Sequence, residues 1–425
     1  MKVDSNIYLN DQDLKPCIPK QKLAEIPADI SDKDTKKMPF VFWGSDWQGH
    51  PTSSIHIAKG LVQLGYKVHW VNSIGMRSPE FKLKDIKRIS TKLLSFFKHK
   101  PSNPIASSER DIPISQLNPF VLPFYGSKLF RRINKILLGK QLDKFLSAVD
   151  SPFILVTTFP NTCDIVDFGN PAKKIYYVMD DFSTFPGVDN KVMLKLEERL
   201  LERMDGVLFA SEIVQQKYVK KAKVPLPHEL LTHGVDIAHF RTTFDSSLPI
   251  PQGFVEKTGP FIGFFGLIDE RIDLELIRKT AEAFPEATII LLGKNTISMN
   301  KLDGVDNIVR KGAIPYPNLP EYLNIFDVCI MPYAIGEATR DINPLKLKEY
   351  LAAGKKVVSM KIPAVKAIDS VVFTANNHEE FIDKIHLALK TKADSQAISE
   401  LIGKESWIDK SKQLVAFTKR LLYSQ

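Results

Sequence analysis

The stretch GEATRDINPLKLKEYLAAGKKVVS, residues 336–359, predicts a polar loop, then a short helix, then a buried strand. Asn343 suits the N-cap of this helix and Pro344 its first position, while Gly354 suits the left-handed residue that ends it. A helix start presents unpaired backbone N–H groups and the positive end of the helix dipole, which together favour a phosphate. We therefore expect an anion to bind in front of this helix.

Two charged residues follow on one flank of the predicted helix. Lys346 lies in its first turn, and Glu349 comes three residues later on the same side. This spacing puts a cation near the phosphate and a carboxylate where it can accept hydrogen bonds from the two hydroxyls of a ribose. The pair therefore suggests a nucleotide-diphosphate site. The alternative is an ordinary exposed pair that contributes roughly 0.2–0.5 kcal/mol, with Asn-Pro as nothing more than a well-made cap.

The same stretch resembles the nucleotide-sugar signature of GT-B glycosyltransferases, especially of the family-4-like branch. In that signature an acidic residue and a glutamate enclose seven residues, and small residues, a glycine and a Val-Val strand follow. Asp341 and Glu349 have this spacing here, although the family usually has glutamate where this chain has Asp341. The resemblance implies a ribose contact for Glu349 and a donor-sugar contact for Asp341.

Length and composition indicate a globular protein of two domains, because 425 residues with 44% hydrophobic content can bury substantial cores. The three cysteines, Cys17, Cys163 and Cys329, are far apart and lack the spacing of a metal site, which favours a reducing, cytoplasmic compartment. The N-terminus lacks an apolar signal core, and no run approaches the ~20 apolar residues of a membrane span. We expect the protein to reach any membrane only from the cytoplasmic side, as a peripheral protein.

The net charge of +9 favours an anionic partner, such as lipid headgroups, nucleotide diphosphates or nucleic acid. Two segments, 77–100 and 128–138, interleave basic and apolar residues in the manner of helices that lie on an anionic membrane. A solvated, charge-rich helix face explains either segment equally simply. No nucleic-acid-binding module is recognisable, so we expect no nucleic-acid partner.

The order of predicted strands and helices indicates an α/β protein with two doubly wound, Rossmann-like domains that face a central cleft. Strand, helix and strand alternate from Phe40, with Gly65 ending the first helix. The predicted divisions are a polar extension (1–37), a first domain that binds the acceptor (38–240), a linker (241–259), a nucleotide-sugar domain (260–400) and C-terminal helices that cross back to the first domain (401–425).

The loop after the first strand ends at the edge of the sheet where doubly wound folds bind ligands. Its residues Asp46, Trp47 and His50 are candidates for binding the acceptor or for transferring a proton. For His50 the alternative is a glycine-rich turn that exposes a histidine by accident.

Asp180 and Asp181 follow a later predicted strand. Adjacent carboxylates can hold one pKa upward, which suits a general base for a sugar hydroxyl. The alternative is that these acids only cap the next helix. The arrangement Tyr-x-x-x-Asp-Asp-Phe resembles that of bacterial polysaccharide-assembly glycosyltransferases of the teichuronic-acid and xanthan type. The segment from His233 resembles the Asn-Gly-Val-Asp hinge of GT-B enzymes, with His233 in place of asparagine.

A glycine turn ends the first strand of the second domain at Gly266 and lets the backbone approach a phosphate. The resembled family has an arginine after this glycine and a lysine several residues later. Here Leu267 occupies the arginine position, and Arg271 is the nearest cation for the lysine position. The residues that we assign to the donor site are Gly266, Arg271, Lys294, Arg340, Asp341, Asn343, Lys346 and Glu349.

The resemblance implies a glycosyltransferase that moves a sugar from a nucleotide-diphosphate donor, with UDP-sugar preferred, to a glycan or lipid-linked acceptor in surface polysaccharide synthesis. No cluster with metal-ligand spacing lies near the donor site, so we expect no metal and no other cofactor. Two alternatives remain: a sugar-nucleotide epimerase or phosphorylase of the same fold, and a non-catalytic binding protein.

Overall fold

A computed structural model of the chain describes residues 38–49, 52–74, 114–122, 127–182, 188–221, 226–256, 259–340, 342–368 and 370–423. Four sequence predictions lie outside these ranges: the polar extension 1–37, the candidate His50, the basic segment 77–100 and the candidate Asp341. The described residues fold into two parallel sheets flanked by helices, and the predicted α/β class of two doubly wound domains is confirmed.

The strands are β1 (Phe40–Gly44), β2 (Val68–Asn72), β3 (Ser115–Leu117), β4 (Ile154–Thr157), β5 (Lys173–Val178), β6 (Gly206–Phe209), β7 (His228–Leu230), β8 (Phe261–Phe265), β9 (Thr288–Leu292), β10 (Ile308–Lys311), β11 (Val328–Met331), β12 (Val357–Met360) and β13 (Val372–Ala375). The helices are α1 (Ser53–Gln63), α2 (Lys128–Leu146), α3 (Asn190–Leu201), α4 (Glu212–Lys221), α5 (Ile237–Arg241), α6 (Leu274–Ala283), α7 (Leu319–Ile325), α8 (Glu337–Arg340), α9 (Leu345–Ala352), α10 (His378–Lys390), α11 (Ser395–Glu400) and α12 (Trp407–Tyr423).

Both sheets are parallel and reverse their strand order beside their first strand. The first has the order β3-β2-β1-β4-β5-β6-β7, and Phe42 of β1 pairs with Trp70 of β2 on one side and Val156 of β4 on the other. The second has the order β10-β9-β8-β11-β12-β13. Ligands of such sheets bind at the carboxyl ends of the strands, where the order reverses. The fold therefore places a ligand site beyond β1 and β4 in one domain and beyond β8 and β11 in the other.

Helices cover both faces of each sheet, so the strands are apolar along nearly their whole length. The central strands β9 and β11 are buried at every residue. Among the residues that the structure describes, one hydrophobic core fills the second domain, and two cores lie on the two faces of the first sheet. The two described cysteines, Cys163 and Cys329, are free thiols buried in these cores.

The junction between the domains differs from the predicted linker. Val235, Phe240 and Phe254 are buried in the core of the second domain, with Phe240 packed against Tyr316 at a ring distance of 5.7 Å. Phe240, assigned to the first domain, and Phe254, assigned to the linker, therefore belong to the packing of the second domain, while most residues between them are exposed. Burial of the two phenylalanine rings removes apolar surface from water and attaches both ends of this segment to the second domain.

The C-terminal helix α12 lies on the first domain. Its residues Trp407, Leu414, Phe417 and Leu421 enter the core on one face of the first sheet. The hydroxyl of Ser411 donates a hydrogen bond to the carbonyl of Ile57 in α1, at 2.9 Å. Within the described ranges, no helix is long and apolar enough to cross a membrane.

Candidate active site in the interdomain cleft

A cleft of about 2720 Å³ separates the carboxyl ends of the two sheets. Ten of the predicted site residues line it: Trp47, Asp180, Asp181, Gly266, Arg271, Lys294, Arg340, Asn343, Lys346 and Glu349. Asp46 is exposed outside the cleft and accepts a hydrogen bond from the backbone of Gln48. The fold thus brings together side chains that are far apart in sequence.

Two glycines let the backbone loops after β8 and β9 touch at the floor of the cleft. Gly266 has φ +140° and Gly293 has φ +149°, which residues with a side chain rarely adopt. A Cβ on Gly293 would collide with the carbonyl oxygen of Gly266, and a Cβ on Gly266 would lie 2.6 Å from the Nζ of Lys346. The loops therefore leave space for the Lys346 ammonium group directly beside the backbone of Gly266.

Lys346 projects from the first turn of α9 toward this glycine floor. Its Nζ lies 4.4 Å from the ring centroid of Phe264 and 5.5 Å from that of Tyr333, so aromatic faces support the cation. Burial, together with the charge of Arg271, lowers the pKa of Lys346 to about 8. In the described part of the chain the ammonium group forms no hydrogen bond or ion pair, which leaves it available to an anion.

Glu349 lies one turn further along α9 and is 8% exposed. Burial raises the pKa of its carboxyl to about 7, and the positive charge of Lys346 only partly offsets that effect. The described residues give this carboxylate no hydrogen-bond partner either. Lys346 and Glu349 are therefore not the ordinary exposed pair that the sequence left open, since both are desolvated and neither neutralises the other by direct contact.

The helix cap differs from the prediction. Pro344, not Asn343, is the N-cap residue of α9, and the Asn343 side-chain amide instead donates a 2.9 Å hydrogen bond to the carbonyl of Ala210 in the first domain. The Asn343 side chain makes no cap hydrogen bond and instead joins the two domains across the cleft. Gly354 ends the helix as predicted, with φ +70°.

Arg271 lies beside Lys346, and Asp269 holds its guanidinium group. The Nε of Arg271 is 3.0 Å from both carboxylate oxygens of Asp269, and its Nη2 is 2.6 Å from Oδ2. Asp269 was missed in the sequence because an acid two residues before an arginine has no distinctive pattern. Lys294 and Arg340 are exposed at the rim of the same cleft.

Asp180 and Asp181 extend the carboxyl end of β5 on the opposite wall. Burial among the cleft walls and the neighbouring Asp181 raise the pKa of Asp180, while Arg271 across the cleft lowers it; the net effect is upward, to about 6. Asp180 nevertheless remains open to water in the cleft. Asp181 lies 3.8 Å from the Nζ of Lys217. Neither acid caps α3, whose N-cap is Asp189.

Trp47 contributes little surface to the cleft, because it is 2% exposed. Its ring packs edge-on against Trp70 at 4.9 Å, and its backbone N–H donates to the Oδ1 of Asn72. The loop folds this candidate residue into the core of the first domain. Its role toward an acceptor stays a prediction.

The hinge side of the cleft contains an aromatic pair that the sequence did not reveal. His239 stacks on Tyr316 at 4.5 Å, and its Nε2 lies 3.0 Å from the carbonyl oxygen of Tyr316. Ala313 and Ile314, in the loop after β10, also line the cleft here. The two residues are 77 positions apart, so no local sequence pattern could predict their contact.

A charged cluster ties α9 to the C-terminal segment behind the cleft. The Nζ atoms of Lys348 and Lys410 lie 2.5 and 2.7 Å from the same oxygen of Glu405. Lys348 also donates to the carbonyl of His233. These contacts fix the orientation of the helix that carries Lys346 and Glu349. Over the described ranges, no group of three or more His, Cys, Asp or Glu residues could hold a metal ion.

Comparison with known proteins gives the same site a family context. Residues 260–391, which lie in the second domain, match the family described as Glycosyl transferases group 1. A protein of Bacillus subtilis named as a teichuronic acid biosynthesis glycosyltransferase, TuaH, is 28% identical over 180 residues. That match spans 41% of this chain and 45% of the relative, which is less than half of either.

Solved structures extend the likeness over most of the chain. Sucrose-phosphate synthase from Thermosynechococcus elongatus has a TM-score of 0.62 at 13% identity, with 91% of this chain and 100% of that chain covered. HepE of Anabaena, in complex with UDP and glucose, has a TM-score of 0.60 at 12% identity, with 90% and 99% covered. At such identities the likeness establishes the fold, which is GT-B, as the sequence predicted.

Proposed function

We propose that the protein is a glycosyltransferase that moves a sugar from a nucleotide-diphosphate donor to a glycan acceptor bound in the first domain. The observation that carries the proposal is the pair Lys346 and Glu349. A desolvated cation and a desolvated carboxylate lie one turn apart on α9, facing a glycine floor, and neither is paired among the described residues. Burying such groups costs stability unless a ligand binds them. A nucleoside diphosphate offers both the anion and the hydroxyl groups that they require.

On the donor wall, the diphosphate lies against Gly266, with the ammonium group of Lys346 beside it. Arg271 supplies a second cation, since Leu267 leaves the neighbouring position without one. Positive charge fixed at the leaving diphosphate stabilises the charge that develops as the bond to the sugar breaks. This arrangement supports transfer that needs no metal, because the chain's own cations occupy the place of one. Glu349 accepts hydrogen bonds from the ribose hydroxyls.

On the acceptor wall, Asp180 takes the proton of the attacking hydroxyl group if the reaction inverts the anomeric carbon. The acceptor oxygen forms a bond to that carbon, the bond from carbon to diphosphate oxygen breaks, and the diphosphate departs with the electron pair. The raised pKa of Asp180 strengthens it as a base while leaving it ionised near neutral pH. A retaining reaction would not require this base.

Two comparisons support a finer assignment of substrates. HepE, which shares the fold, is in complex with UDP, and this favours a UDP-sugar donor. TuaH is named for teichuronic acid biosynthesis, and this favours an acceptor in surface polysaccharide synthesis. A lipid-linked saccharide is the acceptor that we propose within that class.

A lipid-linked acceptor implies access to a membrane, and α2 offers a surface for it. Leu129 and Ile136 are each 64% exposed on this helix. Exposed basic residues surround them: Lys128, Arg132, Lys135 and Lys140. Exposed aliphatic side chains among cations suit the headgroup region of an anionic bilayer. We therefore place the protein at the cytoplasmic face of the membrane, as a peripheral protein.

Nucleotide binding tests the donor site. We would titrate UDP, GDP, ADP and CMP by calorimetry in the presence of EDTA, with the wild type and Glu349→Ala in parallel. We expect one nucleotide to bind selectively and Glu349→Ala to weaken it. Binding of none of them by the wild type would refute the donor assignment. A product screen with the matching nucleotide sugar then separates transfer from epimerisation or phosphorolysis.

Vesicle sedimentation tests the membrane surface. We expect the wild type to sediment with anionic vesicles of phosphatidylglycerol and phosphatidylcholine but not with phosphatidylcholine alone. The double variant Leu129→Ser/Ile136→Ser should lose most of this binding. Leu387→Ser, on an exposed leucine of the second domain, is the matched control and should bind as the wild type does. Equal binding by the double variant would remove α2 from the interface.

A further inference from the structure

Asp269 is a carboxylate that the chemistry above leaves without a role. It lies in the loop after β8 and is 7% exposed. Besides the three contacts with the Arg271 guanidinium group, its Oδ1 accepts a 3.1 Å hydrogen bond from the backbone N–H of Arg271. A single carboxylate thus fixes both the backbone and the side chain of the same arginine.

The electrostatic surroundings keep Asp269 ionised. Burial raises its pKa, but the hydrogen bonds and charge of Arg271, with a contribution from Lys346, outweigh this and place the pKa below its usual range. Arg271 and Lys346 are neighbouring cations, and the charge of Arg271 lowers the pKa of Lys346. Asp269 opposes this repulsion, because its negative charge raises the pKa of Lys346. The carboxylate therefore stabilises the charged forms of both Arg271 and Lys346 before a donor arrives.

Asp269 contacts one edge of the Arg271 guanidinium group, and the described residues leave the opposite edge without a hydrogen bond. Nε and Nη2 of Arg271 donate to Asp269, and Nη1 has no hydrogen bond with the described residues. A guanidinium group carries five N–H donors in a rigid plane, so fixing one edge also fixes the direction of the other. Arg271 is half-exposed and lines the cleft beside Lys346.

We propose that Asp269 is a positioning residue for the donor diphosphate, acting through Arg271. By holding Nε and Nη2, Asp269 directs the Nη1 side of the guanidinium group toward the terminal phosphate. The neighbouring Leu267 supplies no charge at this site. The inference rests on the proposed function, because it assigns a diphosphate to the space between Arg271 and Lys346.

The sign of the effect separates this role from simple electrostatics. At a pH well below the pKa of Lys346, where its ammonium group stays protonated without Asp269, removing a negative charge beside an anion site should strengthen anion binding if charge alone mattered. Removing the group that orients Arg271 should weaken binding of the terminal phosphate instead. A nucleoside monophosphate lacks that phosphate, so the ratio of diphosphate to monophosphate affinity reports the orientation of Arg271 separately from the integrity of the fold.

The experiment compares UDP with UMP, or the corresponding pair for whichever base the wild type selects. We would measure both dissociation constants by calorimetry for wild type, Asp269→Asn, Arg271→Met and the double variant. We expect Asp269→Asn to weaken the binding of UDP by about tenfold and that of UMP by less than about twofold. Added to Arg271→Met, Asp269→Asn should cause no further loss of affinity. Glu270→Gln removes the same charge from the adjacent position and should leave UDP binding unchanged or slightly tighter.

Three results would overturn the proposal. The first is UDP binding by Asp269→Asn as tight as in the wild type. The second is an equal loss of affinity for UDP and for UMP in Asp269→Asn. The third is a loss of UDP affinity that is just as large when Asp269→Asn is added to Arg271→Met. If Asp269→Asn does not fold, Arg271→Lys keeps the charge without the two-edged plane, and it should show the same selective loss for UDP. Wild-type affinity for UDP in Arg271→Lys would also overturn it. Failure of the wild type to bind any nucleotide is a different result and refutes the proposed function itself.

Discussion

The two walls of the cleft hold their charged groups in different ways. On the donor wall, Lys346 and Glu349 are desolvated and fixed on one helix, which the Lys348, Glu405 and Lys410 cluster anchors from behind. On the acceptor wall, Asp180 is open to cleft water and Asp181 has Lys217 nearby. The donor wall is thus organised before substrate binds, at a cost in stability, whereas Asp180 of the acceptor wall is exposed to cleft water and only partly desolvated.

From this difference we infer that the wall with the desolvated charges is the one suited to a ligand whose groups stay constant. A nucleoside diphosphate presents the same groups whatever sugar it carries, so buried complementary charges suit it. The match to Glycosyl transferases group 1 covers residues 260–391, which form the donor wall. Variants of the donor wall should therefore change nucleotide binding, and variants of the acceptor wall should change turnover alone.

The largest effect is expected at Asp180. Asp180→Asn should lower the rate of nucleoside-diphosphate release by about 10³, within the range for loss of a general base, while nucleotide affinity stays within about twofold. In the wild type kcat/KM should rise with pH through the pKa of Asp180, which lies above its usual range, because only the ionised carboxylate accepts a proton. The variant should lose that limb of the profile. Unchanged turnover would remove Asp180 as the base and favour a retaining reaction.

Lys346 on the opposite wall should give a smaller loss of rate together with a loss of binding. Lys346→Met removes the cation beside the leaving phosphate but keeps most of the volume, so we expect turnover to fall by about 10² and UDP binding to weaken by about tenfold. Lys366→Met, on an exposed lysine outside the cleft, is the control. Loss of turnover without loss of affinity would contradict the division between the walls.

Glu349→Gln should weaken binding yet stabilise the protein. Burial raises the carboxyl pKa from 4.5 to about 7, so the folded state binds a proton more tightly than the unfolded state. Below pH 4.5 both states are protonated and the substitution is neutral; as pH rises from 4.5 to about 7 the wild type loses stability, by about 3 kcal/mol in total, and above that range the loss is complete. We therefore expect the variant to unfold at a higher temperature than the wild type at pH 8 and at the same temperature at pH 4.

For the same variant, UDP affinity should fall by about tenfold, because the amide accepts hydrogen bonds from the ribose less strongly than a carboxylate does. Calorimetry and thermal unfolding at the two pH values measure the two effects separately. If Glu349→Gln is less stable than the wild type at pH 8, favourable electrostatic interactions of the Glu349 carboxylate must outweigh the cost of its desolvation.

The smallest effect is expected at Lys217. Its ammonium group is 3.8 Å from Asp181 and both side chains are partly exposed, a geometry that contributes at most about 1 kcal/mol. Lys217→Met should change the unfolding free energy by less than about 1 kcal/mol, measured by urea denaturation, and should leave UDP affinity unchanged. A large loss of nucleotide affinity would mean that the two walls are not independent.

Local patterns predicted most of the fold. Strands such as β9 and β11 are continuous apolar runs, and Gly354 ends α9 at the predicted residue because a left-handed helix terminus favours glycine. The same patterns placed the Lys346 and Glu349 pair on one helix. What they could not give was desolvation, because the surroundings of Lys346 include Phe264 and Gly266, which lie far from α9 in the sequence.

The errors and omissions share that cause. Asn343 has the chemistry of a cap, yet its amide bonds to Ala210, 133 positions earlier in the chain. Trp47 lies in a polar loop, yet Trp70 and Asn72 draw it into the core. Sequence periodicity reports which face of an element is buried, but it does not report which distant atom a polar group meets.

The position of α12 has a consequence for the order in which the molecule is made. Trp407, Leu414, Phe417 and Leu421 complete a core of the first domain, although the rest of that core comes from residues before 235. During synthesis the whole second domain must emerge from the ribosome before this face of the first sheet can close. The second domain, whose core is contained in residues 235–402, can fold while the first still exposes apolar surface that a chaperone would recognise.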